Sequence, residues 1–227
     1  MDEKKYILKT IATRCILIYI AISFAIIPII YMTILKMSHS DVNYLAQAIL
    51  NLISYSGLAI TFIILLRNYF KDDFFDLKNK LWLKIIIVIA LVILIKLSEA
   101  LCSWFYGLFN ESINGNNQTS ITEVIKEYAV IMAFSTCLGA PIVEEIIFRK
   151  CIFSYFDKDI YGILVSTACF SLIHVISSLD FIHILPYLFA GALFSTAYAL
   201  SKRNIYVTIV GHIALNTFSF IMICINM

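Results

Sequence analysis

Seven stretches of mostly apolar residues divide this chain, at Ile11–Leu35, Val42–Leu66, Leu81–Phe109, Val124–Phe153, Ile160–Ser177, Phe181–Leu200 and Ile205–Ile225. A helix of about 20 such residues crosses the hydrocarbon layer of a bilayer. The third and fourth runs exceed that length, so they must tilt, kink or extend into the interface. Pro141 lies inside the fourth run and is expected to kink it or divide it into two pieces. The expected fold class is therefore all-α: a polytopic membrane helical bundle of seven transmembrane helices, or eight if both pieces span.

Composition points the same way. Hydrophobic residues make up 61% of the 227 and charged residues 14%, against about half and a quarter in soluble domains. The net charge of +2 gives no broad basic surface, so no nucleic-acid partner is expected. All six cysteines lie in apolar segments and none forms a C-x-x-C. They read as buried thiols packing as small hydrophobes, not as a disulfide framework or zinc ribbon. The start, MDEKKYILKT, resembles a charged signal-peptide region, but the following apolar run is too long and reads as a retained first span.

Charge sets the orientation. With the N-terminus inside, Lys4, Lys5, Lys9, Arg14, Arg67, Lys71, Lys78, Lys80, Lys84, Arg149, Lys150, Lys158, Lys202 and Arg203 face the cytoplasm, 14 of the 17 Lys and Arg. Lys36 and Lys126 fall outside and Lys96 lies within a span. The positive-inside rule favours seven spans, N-in and C-out. The one long polar loop, Asn110–Ser120, then lies outside. With no internal repeat and no soluble segment, residues 1–227 read as a single membrane domain.

Charged groups inside a bilayer cost about 2.5–3.5 kcal/mol each on insertion scales, so they should face the bundle interior with partners. In EEIIFR, Glu145 and Arg149 stand at i, i+4 and share a helix face. Glu144 points about 100° away, on the stripe of Phe148. In FSLIHV, Phe170 and His174 again stand at i, i+4. In GHIALNTF, so do His212 and Asn216. Each pair alone has a plain structural reading: a buried ion pair, a packing histidine, helix–helix glue. Lys96 and Glu99 read as an internal structural pair, and His183 and His39 carry no functional expectation. Together the first three pairs hold the parts of a hydrolytic site. A carboxylate accepts a proton from water, and a histidine shares that task or protonates a leaving amine. His and Asn on one face can donate to an oxyanion. No Ser or Cys stands as clearly beside a His, which favours water as the nucleophile.

The order Glu144-Glu145-x-x-Phe148-Arg149, Phe170-x-x-x-His174, His212-x-x-x-Asn216, all within spans, resembles the CAAX protease and bacteriocin-processing family, also called Abi or type II CAAX prenyl endopeptidases. The stretch PYLFAGALFSTAYALSKRNIYVTIVGH is similar too, with Ser195 where members often have a second glycine after Gly191. The resemblance covers about Ala140 to Phe218, the expected catalytic core. It implies an intramembrane endopeptidase in which Glu144 is the general base and His174 orients or activates water. His212 and Asn216 would stabilise the oxyanion, with Glu145, Arg149, Phe148 and Phe170 supporting. It implies no metal cofactor, with zinc as the alternative, since H-E-x-x-H is absent.

Other readings stay open: a bacteriocin self-immunity or binding protein with an idle site, and a proton-relay transporter. The implied partners are the lipid bilayer and a peptide or membrane-protein substrate. A bacterial plasma membrane is expected, which makes a small secreted peptide precursor or membrane-associated peptide a better substrate than a prenylated one. The C-terminal Cys224-Ile-Asn-Met has the shape of a CAAX box but caps a span, so it reads as coincidence. One difficulty concerns depth. His174 lies ~20 Å along the fifth run and Asn216 ~16 Å along the last, so the residues meet only if the helices tilt or Pro141 resets the glutamates.

Overall fold

The computed structural model describes residues 3–109, 111–176 and 178–227. Its helices are α1 (Glu3–Ser38), α2 (Tyr44–Leu65), α3 (Arg67–Leu77), α4 (Leu81–Gly107), α5 (Asn116–Cys151), α6 (Asp159–Ile176), α7 (Phe181–Leu200) and α8 (Ile205–Ile225). Among the described residues, seven of these are long and apolar enough to cross a membrane, all but α3. The helical, multi-pass expectation is met, with seven spans and not eight. Ile86, Ile93, Leu97, Leu101 and Trp104 stand exposed along α4. A continuous apolar face of this kind is stable against lipid tails, not against water.

Helix α5 departs most from expectation. Pro141 does not divide it. Proline has no N–H to donate, but Ser135–Gly139 forms a π turn in which the Ala140 N–H reaches the Ser135 carbonyl. Pro141 then falls in the first turn of the short α segment Ala140–Glu145, where a missing N–H costs little. A second π turn, Ile146–Cys151, follows directly. The actual break is at Tyr128 (φ −133°, ψ 49°). The helix also begins at Asn116, inside the segment expected to be loop. The Asp180 carboxylate accepts the Asn116 N–H at 2.8 Å and supplies from another loop the cap that Gly115 lacks. Asn110 and Ser177 lie outside the described residues.

Polar contacts gather at the two ends of the bundle. At one end Lys4 pairs with Asp72 at 2.7 Å, Lys5 with Asp157 and Lys150 with Asp73 at 2.6 Å. Arg203 meets Asp159 at 2.7 Å. Helix α3 lies at this end, and the Asn204 amide donates to the Asp73 carbonyl at 2.7 Å. At the other end Tyr106 donates to the Ile182 carbonyl at 2.7 Å, and Gln47 to the Ser120 hydroxyl at 3.3 Å. Five of the cations expected inside, Lys4, Lys5, Lys84, Lys150 and Arg203, make their ion pairs at the first end.

Helices α6 and α7 pack closely through small residues, as membrane helices do when backbones must approach. A Cβ on Gly191 would come within 3.3 Å of the Thr167 backbone. Ser195, in place of a second glycine, uses the proximity: its hydroxyl donates to Ser166 at 3.0 Å, and both are fully buried. The cysteines are all free, but only four are buried; Cys169 is exposed and Cys224 half-buried, against the expectation of uniformly buried thiols. Their segments turn partly toward lipid, where a thiol is no less at home.

Candidate active site

Three helices bring the polar residues together. Glu144 and Glu145 close the short α segment of α5, His174 stands in the last turn of α6, and His212 lies two turns into α8. Glu144 Oε2 is 3.9 Å from His174 Nε2 and 3.9 Å from His212 Nε2. The three residues therefore meet despite their different distances along the spans. At 1.5 Å per residue His174 lies about 22 Å along α6 and His212 about 10 Å along α8, yet both reach one carboxylate oxygen.

Hydrogen bonding assigns the imidazole protons. His174 Nδ1 is 2.7 Å from the Phe170 carbonyl. A carbonyl only accepts, so Nδ1 carries the proton and a neutral ring leaves Nε2 as an acceptor. His212 Nδ1 is 2.9 Å from Glu145 Oε1. That carboxylate, ion-paired to Arg149, accepts the Nδ1–H hydrogen bond, and again Nε2 turns to Glu144. Aromatic rings fix both imidazoles. Tyr187 stacks on His174 with centroids 4.6 Å apart and 23° between planes. Phe194 lies 4.7 Å from His212.

Glu145 and Arg149 are both 0% exposed. Arg149 Nε is 3.3 Å from Glu145 Oε2, as their i, i+4 spacing suggests. The two atoms are not aligned as a hydrogen bond, so the pair is held by charge. Much of the remaining support for Arg149 is aromatic. Its guanidinium sits 4.7 Å from the Phe170 ring, 5.2 Å from Phe194 and 5.9 Å from Phe148, contacts that favour a buried cation. Phe148 and Phe170 themselves meet edge to face at 5.3 Å. Asn216 donates one amide N–H to the Thr136 carbonyl of α5 at 2.9 Å, leaving its second N–H for another acceptor. Lys96 and Glu99 form the expected pair at 2.8 Å, and the Lys96 ammonium also donates to Ser219 at 3.2 Å.

A cavity of about 540 Å³ lies over this cluster, lined by Glu144, His174, His212 and Asn216 together with Tyr19 and Tyr55. Sequence reasoning missed Tyr19, Tyr55, Tyr187 and Phe194. Each sits in an otherwise apolar span, where a tyrosine or phenylalanine has no distinctive spacing. Among the described residues, no group of three His, Cys, Asp or Glu is spaced to hold a metal ion. Zinc ligands at about 2.0–2.2 Å in a tetrahedron stand roughly 3.3 Å apart, closer than the 3.9 Å between Glu144 Oε2 and each imidazole.

A bundle of seven apolar helices enclosing a polar cavity over a Glu–His–His cluster describes a membrane-embedded hydrolase. Comparison with known proteins names the family. Residues 126–218 match the profile of the type II CAAX prenyl endopeptidase Rce1-like family, a segment that holds Glu144, Glu145, Phe148, Arg149, Phe170, His174, His212 and Asn216. The chain is 32% identical over 189 residues to a Bacillus subtilis (strain 168) protein named "Putative membrane peptidase YdiL", covering 81% of this chain and 75% of the relative. It is 30% identical over 115 residues to the "Membrane-embedded CAAX protease MroQ" of Staphylococcus aureus (strain USA300), covering 48% and 46%. No solved structure matches. The chain belongs to the Rce1-like family of type II CAAX prenyl endopeptidases and is a membrane endopeptidase.

Proposed function

We propose that Glu144 acts as the general base of a water-mediated peptide hydrolysis inside the bilayer. The observation that carries this reading is the approach of His174 Nε2 and His212 Nε2 to one Glu144 oxygen, 3.9 Å each. That spacing is too long for direct hydrogen bonds, and two bonds of about 2.8 Å through one tetrahedral water span roughly 4.6 Å, so a water enters between the groups once they part by about half an ångström. A water held between Glu144 and His174 loses a proton to Glu144 as its oxygen attacks the peptide carbonyl carbon. The proton then passes to the departing amine nitrogen as the C–N bond breaks. His212, whose Nδ1–H is held by Glu145 as the carboxylate of a catalytic triad holds its histidine, faces the developing oxyanion together with Asn216, whose free N–H donates to it.

The sequence distribution of Lys and Arg, 14 of 17 on one side of the spans, supports an N-in orientation in a bacterial plasma membrane. A small secreted peptide precursor or a membrane-associated peptide is the substrate class that suits such a setting. The direct test is cleavage of a mixed library of secreted and prenylated peptides by the purified protein beside Glu144→Gln, with and without a strong chelator. Cleavage that needs Glu144 and survives chelation supports the reading. Activity lost to chelator and restored by zinc would replace it with a zinc-dependent one.

A further inference from the structure

The cavity over Glu144 runs toward only one end of the bundle. Gln47 and Asn51 line it from the first turns of α2, Asn117 and Gln118 from the first turn of α5, and Ser219 and Ile223 from the last turns of α8. These turns share one end of the fold, tied together by the Gln47–Ser120 and Asn117–Tyr187 contacts. Among the described residues, none that lines the cavity comes from the opposite end, where Lys4, Lys5, Lys150 and Arg203 make their ion pairs.

Below the site the protein is closed. Glu145 and Arg149 are fully buried, and Phe153 packs edge to face on Tyr198 at 4.9 Å, both at most 2% exposed. Beneath them Asp73 of α3 takes the Lys150 ammonium at 2.6 Å and the Ile205 N–H at 3.2 Å. Glu144 thus sits at the floor of a well. Along α8, Ile223 stands about 16 Å above His212.

The lining also suits a particular ligand. Near the mouth, Gln47, Asn51, Asn114, Asn117 and Gln118 supply carboxamides, each able both to donate and to accept. An extended peptide backbone presents N–H and C=O groups in alternation and needs partners of both kinds when it leaves water.

We infer that the substrate is an extended polypeptide segment that reaches Glu144 from the non-cytoplasmic face, as an exported peptide does. This rests on the peptidase and N-in readings above. The test is independent of cleavage. Single cysteines at Asn117→Cys and Ser219→Cys, with Cys169 and Cys224 replaced, are exposed to a membrane-impermeant thiol reagent in intact cells and in inside-out vesicles. Lys71→Cys serves as the marker for the opposite face. The expected result is labelling of Asn117→Cys and Ser219→Cys in intact cells, with Lys71→Cys labelled only in inside-out vesicles. A bulky label on Ser219→Cys should slow peptide cleavage at least tenfold, and a label on Lys71→Cys should not. Labelling of Asn117→Cys and Ser219→Cys only from the Lys71 side, or of neither while Lys71→Cys reacts, overturns the inference. That result leaves the peptidase reading untouched, because a Glu144-dependent cleavage in detergent does not depend on the face.

Discussion

His212 Nδ1 stands 2.9 Å from Glu145 Oε1 across 67 residues of sequence, and the same carboxylate holds Arg149 from its other oxygen. One buried glutamate thereby anchors α8 to α5 and orients the imidazole that faces Glu144. The second glutamate of the pair is supporting structure in this arrangement, and the first is left facing the cavity.

Replacing Glu145 with Gln strands the Arg149 charge at a fully buried site. Removing one partner of a buried pair typically costs about 3–5 kcal/mol. The thermal midpoint of the detergent-purified Glu145→Gln protein should fall, and cleavage with it. The double variant Glu145→Gln/Arg149→Met should regain part of the stability but not the activity, since His212 stays unanchored. Additive stability losses in the double variant would refute the pairing.

Glu144 has no such structural duty, so Glu144→Gln should keep the wild-type thermal midpoint to within about 1 kcal/mol. Cleavage should drop by about 10²–10⁴, the usual contribution of a positioned general base. Single-turnover rates on any cleaved peptide measure this. Wild-type rates in the variant would remove Glu144 from the chemistry.

Gly162 is where α6 meets the ring of Phe153. A Cβ there would stand 2.6 Å from the ring carbon Cδ1. Gly162→Ala should destabilise the protein by about 1–3 kcal/mol through overpacking. Phe153→Leu in the same chain should recover stability by vacating the space, a rescue visible in paired melting curves.

Asp180, between α6 and α7, accepts the Asn116 N–H at 2.8 Å and the His183 Nδ1–H at 2.7 Å. These bonds, the Asn116 one foremost, lower its pKa below the ordinary carboxylate value of about 3.9. A depressed carboxylate lends stability that is fully present above the unfolded pKa and is lost as pH falls through the folded one. Wild type should therefore lose its advantage over Asp180→Asn as the pH drops from about 5 to below 3. A constant difference in midpoint across that range would mean that Asp180 ionisation does not contribute.

Much of this fold was legible from apolar run length alone, because lipid selects continuous hydrophobic segments whatever their neighbours. Five of the seven spans fall within about two residues of their expected limits for that reason, while α1 and α5 begin eight residues early. Helix α3 was not legible: RNYFKDDFFDL is too charged to register as a span, and its helix is tied down by contacts with Asn204 and Lys84. The start of α5 at Asn116 depends on a cap 64 residues away, and the tolerance of Pro141 depends on a π turn. Periodicity reports neither. In the site, spacing gave the Glu145–Arg149 pair, since both lie on one helix. The Glu145–His212 bond, the Thr136 carbonyl under Asn216 and the Tyr187 ring on His174 are tertiary contacts, invisible before the helices cross.

The closed floor beneath Glu144 has an electrical consequence. A polar, water-bearing cavity running through the bilayer from face to face would conduct protons and ions down the membrane potential. Here Phe153, Tyr198 and the wholly buried Glu145–Arg149 pair interrupt that path with apolar rings and two opposite charges that cancel. The helices can admit water to a scissile bond and still leave the membrane an insulator.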